Sequence, residues 1–130
     1  MTFGRGGSQW LPEETSMVVS KDLMLEMYRF MVLGRLFEQR AEQIANRGFV
    51  PGSLHLGIGE EAANVGACLA LAHEDYILPS HRGHVAVIAK GADPKRVMAE
   101  ILGRATGYCG GRGGTCHLAE TSVRNLAGVS

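Results

Sequence analysis

The sequence lacks net charge. Lys and Arg total 13, Asp and Glu total 13, and the formal charge at pH 7 is zero. That balance excludes a general electrostatic attraction to nucleic acid or to an anionic membrane. Any anion this chain binds must be held by a few placed residues. Long apolar runs are also missing, and none approaches the roughly 20 residues that a bilayer span requires. Met1 leads into Thr2-Phe3-Gly4-Arg5, without the apolar stretch of a secretory leader. Cysteine is sparse and odd in number: Cys68, Cys109 and Cys116. There is no Cys-x-x-Cys pair and no zinc-ligand spacing, so neither a disulfide framework nor a structural zinc site is expected. A reduced, cytoplasmic setting fits this usage. The 18 glycines follow no period, which removes collagen-like and solenoid architectures.

What is present suits one modest domain. Apolar residues make up 45% of the 130, enough for a core. Residues 1–19 read as a flexible N-terminal arm, broken by Gly4, Gly6, Gly7 and Pro12. Ser20-Lys21-Asp22 carries the cap and first-turn acid of a helix start. Leu23, Met27, Phe30, Met31, Gly34, Phe37, Ala41 and Ile44 then recur at helical spacing, up to a stop at Gly48. A helix of that length exceeds what so small a domain needs, which suggests packing on another chain. A second helix is expected from Gly59-Glu60-Glu61 to about Leu71. Asp75 to Pro79 reads as a short strand, and Ser80 or His81 as the start of a third helix reaching Gly91. Asp93-Pro94 opens a fourth, ended by Gly103. Residues 107–130 are glycine-rich and aperiodic. The fold class is α/β, mainly helical with short strands, and incomplete as a layer.

Four groups stand out as able to carry chemistry: His55, the quartet Ser80-His81-Arg82-Gly83 followed by His84, the run Gly110 to Gly114, and Cys116-His117, with the paired carboxylates Glu60 and Glu61 beside them. Arg82, where a strand is expected to turn into a helix, would join a fixed cation to helix-start amides, with Ser80 and His81 as further donors. The bland alternative is a surface arginine. His55 lies between Leu54 and Leu56 in an apolar loop before a helix. It reads either as a phosphate contact or as a buried histidine satisfied by one backbone bond. The run Gly110-Gly111-Arg112-Gly113-Gly114 permits close backbone approach but lacks the Lys-Ser/Thr ending of a Walker loop, so its default is a flexible surface loop. Glu60 and Glu61 suit a helix first turn for stability alone. One of them acting as a proton relay to a nitrogen heterocycle is the sharper alternative.

Taken in order, these segments resemble one family. Met27-Tyr28-Arg29 through Arg35-Leu36-Phe37-Glu38 is similar to that family's first long helix. Gly52-Ser53-Leu54-His55-Leu56-Gly57-Ile58-Gly59-Glu60-Glu61-Ala62 resembles its His-x-x-x-Gly-Gln/Glu-Glu-Ala segment. Asp75 to His84 resembles its Tyr/His-Arg-x-His segment. Gly91 to Pro94, Glu100 to Gly107 and Gly110 to His117 follow at the same spacing. The family is the α subunit of thiamine-diphosphate-dependent 2-oxo acid dehydrogenases, including the pyruvate, branched-chain and acetoin enzymes. The likeness covers roughly residues 20–130.

The resemblance implies an incomplete thiamine-diphosphate-binding fold, with residues 20–130 as the N-terminal part of the dehydrogenase domain. It assigns cofactor contacts to His55, His81, Arg82, Gly128 and Val129, and no catalytic or metal-binding residue to this chain. Magnesium would be held by the family's Gly-Asp-Gly motif, which lies beyond residue 130, so a truncated chain, inactive alone, is expected. The implied reaction is oxidative decarboxylation of a 2-oxo acid such as pyruvate, or cleavage of acetoin, with the cofactor as electron sink. The implied partners are a β subunit in a heterotetramer, a dihydrolipoamide acyltransferase core and the small-molecule substrate, with no nucleic acid and no membrane. Val85 and Thr115-Cys116 depart from the family's usual Gly and Ser-Met. Two other readings stand beside this one: a non-catalytic interaction module and a transketolase-like fragment.

Overall fold

A computed structural model of the chain describes residues 19–128. The expected arm at 1–19 therefore falls almost entirely outside the described residues, as does Val129. Four α-helices and one 3-10 turn follow in order: α1 (Lys21–Ala45), α2 (Glu61–Leu69), α3 (His84–Ala89), α4 (Pro94–Ile101) and the turn Thr121–Val123.

Each long element has a local cause. The Ser20 hydroxyl accepts from the Leu23 amide at 3.2 Å, capping α1. At its far end Gly48 takes φ +78°, a conformation that glycine adopts without strain. Asp93 caps α4 by accepting from the Lys95 amide at 2.9 Å, and Pro94 sits where its missing N–H costs nothing. Helices α2 and α3 both pack on α1 and on each other. The α1–α3 crossing is close because Gly34 has no side chain, and a Cβ there would lie 2.7 Å from Val85 Cγ1. The core is Phe37, Val65, Cys68, Val85, Val87, Ile88, Val97, Ile101 and Leu118, all buried. Burying each of the larger aliphatics contributes about 1.5–3 kcal/mol. The outer face of α1 leaves Leu25, Tyr28 and Leu36 more than half exposed.

Two expectations need correction. Among the described residues there is no strand. The segment 75–79 makes only an isolated parallel bridge, Ile77 to Asn125, and Glu120 pairs singly with Asn125. The Ile77 bridge consists of two hydrogen bonds, from the Ile77 amide to the Arg124 carbonyl at 2.8 Å and from the Leu126 amide to the Ile77 carbonyl at 3.1 Å, too short a pairing to make a strand. The third helix also starts later than Ser80 or His81. The Ser80 hydroxyl accepts from the Arg82 amide at 3.2 Å and closes a turn, Gly83 packs on Pro79, and α3 begins only at His84.

Glu61 ties α1 to α2. Arg35 donates to both of its carboxylate oxygens, at 2.7 and 2.9 Å, and the Gly59 amide adds bonds of 3.1 Å. The arginine hydrogen bond, opposed by burial, holds the Glu61 carboxyl down at about 2 against an ordinary 4.5. A depressed carboxyl stabilises the fold above its unfolded value, and the contribution is lost as pH falls from 4.5 through 2. Arg35→Gln is therefore expected to lower the urea midpoint at pH 7. The gap to the parent chain should shrink as pH drops from 4.5 toward 2, and a gap independent of pH would contradict the linkage. Arg35 is half-exposed, so high salt should narrow the gap as well.

Candidate functional site

The loop before α2 and the turn before α3 meet side by side. One Arg82 Nη donates to the Leu56 carbonyl, next to His55. The His55 and His81 rings stand edge to face with centroids 5.0 Å apart. Both rings and the guanidinium are half-buried, a position from which a group can be fixed and still reach a ligand. Gly57 makes the junction possible, because a Cβ on it would sit 3.0 Å from the Arg82 carbonyl. Glu60 lies 3.8 Å from Arg82 Nε with both side chains over 40% exposed, so this pair holds the guanidinium weakly. A guanidinium has five donors, and only one is committed to Leu56.

A third segment closes on the same place. Thr115 Oγ1 and Cys116 Sγ lie 3.5 and 3.3 Å from His55 Nδ1. The Thr115 hydroxyl donates to the Ser53 carbonyl at 3.1 Å, which stitches the 113–117 loop to the His55 loop. Gly128 arrives last. A Cβ on it would collide with the Cys116 carbonyl and come within 3.2 Å of the Ser80 carbonyl, so this approach requires glycine. His55, His81, Arg82 and Gly128 thus share one neighbourhood.

Arg82 lies in a turn directly before Gly83, the cap of the buried six-residue α3 that begins at His84. Glu61 is paired with Arg35.

Thr115, noted in the sequence only as a departure from the family pattern, and Glu100 are not among the expected site residues, yet both organise the site. The Glu100 carboxylate, fully buried, accepts from the amides of Cys109 at 2.7 Å, Gly111 at 3.0 Å and Gly113 at 2.7 Å. It turns the glycine run from an expected flexible loop into an anchored one. An acid near the end of a helix that precedes a glycine cluster was the only available signal. A larger concavity, about 610 Å³, lies along α1 between Glu26 and Leu36. It is open and mostly apolar, lined also by Glu26 and Arg29, and it shares no lining residue with the His55 cluster.

One guanidinium and two imidazoles, all half-buried, meet on this helical layer, a donor set that could hold an anion. Residues 28–129 match the family model described as dehydrogenase E1 component. The α subunit of an acetoin:2,6-dichlorophenolindophenol oxidoreductase from Bacillus subtilis is 44% identical over 102 residues, 78% of this chain and 31% of the relative. A pyruvate dehydrogenase E1 component subunit alpha from Zymomonas mobilis is 40% identical over 109 residues, 83% of this chain and 31% of the relative. The chloroplastic subunit alpha-3 from Arabidopsis thaliana is 37% identical over 116 residues, 89% of this chain and 27% of the relative. The chain belongs to the dehydrogenase E1 component family. It spans about a third or less of the length of these relatives and corresponds to their N-terminal portion. No helix among the described residues is long and apolar enough to cross a membrane.

Proposed function

We propose that residues 20–130 form the N-terminal part of a thiamine-diphosphate-binding dehydrogenase α subunit, and that His55, His81 and Arg82 grip the cofactor's diphosphate. The observation that carries this is the junction of the two loops, where Arg82 sits beside His55 with most of its donors uncommitted. The donor set suits a dianion: one permanent cation, two imidazoles and no carboxylate closer than the loosely held Glu60. The surface fits the diphosphate end of such a group, while Gly128 and Val129 would lie along its thiamine end.

When bound, thiamine diphosphate supplies the carbanion and electron-sink chemistry that side chains lack. This chain's part is to bind and orient. Arg82 and the histidines hold the diphosphate, the Glu100-anchored loop keeps Thr115 and Cys116 against His55, and Gly128 admits close backbone approach. Magnesium would be held by residues outside this chain. The reaction of the whole subunit would be oxidative decarboxylation of a 2-oxo acid such as pyruvate, or cleavage of acetoin, chemistry that the relatives' names support. A β subunit and an acyltransferase core would be its partners, and the exposed apolar row on α1 supports a partnered chain. A cytoplasmic place is proposed, although one relative is chloroplastic by name.

Histidine-ring NMR tests the grip. Adding thiamine diphosphate should shift the His55 and His81 signals and leave His73 unmoved, whereas thiamine without phosphates should move none. Unchanged His55 and His81 signals at saturating ligand would remove the reading.

A further inference from the structure

Behind the exposed cluster lies a buried polar pair that the diphosphate grip does not use. Glu38, from the middle of α1, and His84, the first residue of α3, are 0% and 2% exposed. Glu38 Oε1 lies 3.1 Å from His84 Nδ1, and His84 Nε2 lies 3.0 Å from the Thr115 carbonyl. A carbonyl only accepts, so Nε2 must carry a hydrogen and donate to Thr115. One proton must then lie between Nδ1 and Glu38, because two bare acceptors at 3.1 Å would repel. The chain of contacts has a single direction of purpose: α1 holds His84, and His84 holds the Thr115 backbone.

The pair touches every segment of the site. His84 follows Arg82 by two residues. Thr115 faces His55 through its hydroxyl and is followed by Cys116 at the same imidazole. Glu38 Oε1 also lies beneath Gly57, where a Cβ would come within 3.4 Å of it. The second Glu38 oxygen has no hydrogen-bond partner among the described residues. An orphaned buried carboxylate oxygen is costly, and similar volume could be filled by an apolar residue at little loss of stability. Holding the fold together therefore explains this arrangement poorly, and holding a geometry explains it better.

We infer that Glu38 and His84 are positioning residues: through the Thr115 carbonyl they set the 113–117 loop against His55 and so fix the spacing between His55 and Arg82. The inference rests on the diphosphate reading only for what the spacing serves.

Three variants of the chain test it: Glu38→Leu, Glu38→Gln, and Glu38→Leu combined with His84→Leu. Gln offers a donor to Nδ1 while Nε2 still donates to Thr115, and Leu offers none. Two readouts are taken well below each variant's unfolding temperature. The first is the rate of Cys116 alkylation by iodoacetamide, located by peptide mapping with Cys68 as the buried internal control. The second is the Kd for thiamine diphosphate. Glu38→Leu should speed Cys116 alkylation about fivefold and weaken the Kd about tenfold, since a displacement of a fraction of an ångström is enough to lose a preorganised contact. Glu38→Gln should stay within about twofold on both. Should Glu38→Leu not fold, the double variant, which leaves neither partner of the pair polar, takes its place. Parent-like alkylation in a folded Leu variant overturns the inference, and so does failure of both Leu variants to fold, which would make the pair a folding requirement only. If the parent chain binds no thiamine diphosphate, the diphosphate reading falls, and the alkylation rates still decide the positioning role.

Discussion

Glu100→Ala is expected to unfold the chain roughly 15 °C below the parent, a loss of about 3 kcal/mol. The size follows from what the substitution strands. The carboxylate is fully buried at the end of α4 and accepts three backbone N–H bonds from one loop, at 2.7, 3.0 and 2.7 Å. Removing it leaves three donors in a part-buried loop, each costing about 1–3 kcal/mol unless water reaches it. The loop cannot rearrange easily to compensate. Gly111 has φ +77° and presses on Gly103, and Gly107 presses on Glu100 itself. Glu100→Gln should recover only part of the loss, since its amide nitrogen turns a donor toward a donor. Differential scanning calorimetry measures both variants, and a shift under about 3 °C for alanine, or less than 1 kcal/mol, would refute the anchoring role. Hydrogen exchange at Cys109, Gly111 and Gly113 should accelerate most, because those amides lose their acceptor.

How much of this was legible from sequence varies with the range of the interactions concerned. Helices α1 and α4 were readable because their causes are local: Ser20 and Asp93 as caps, Pro94 at the first turn, and glycines just past the ends. The starts near Ser80 and the strand at 75–79 were misread. Ser80 looks like a helix cap, yet its hydroxyl closes a turn onto Arg82, and Ile77 finds a partner only in Asn125, far along the chain. The glycine run looked loose because its anchor, Glu100, acts through the fold and not through neighbouring residues. Within the site, residue type suggested His55 and Arg82 as anion contacts. Nothing in the spacing said that the His55 and His81 rings would meet at 5.0 Å, or that Thr115 and Cys116 would close on His55. Only the ordered likeness to a family pointed to His55, His81, Arg82 and Gly128 together, and it gave Thr115 and Cys116 no role. The burial of Glu38 was legible in part: it falls four residues after Gly34 and three before Ala41, on the buried stripe of α1, but its partner His84 is set by the crossing of α1 over α3.

Arg82→Ala should have the largest effect on binding and almost none on the fold. The guanidinium is over 40% exposed, its pair with Glu60 is loose, and its one firm commitment is to the Leu56 carbonyl. Truncation should therefore cost little stability. Toward a diphosphate the same group offers charge-assisted bonds, worth about 2–3 kcal/mol, or roughly a 30- to 100-fold change in Kd. Arg82→Lys should recover only part of this, because an ammonium cannot span two phosphate oxygens in the planar, forked manner of a guanidinium. Titration calorimetry of parent and Arg82→Ala chains with thiamine diphosphate, at one fixed ionic strength, tests the central claim most directly. The expected result is measurable binding by the parent and a Kd at least about 30-fold weaker in the variant, with both chains unfolding at the same temperature. Equal affinities in two equally folded chains would contradict it.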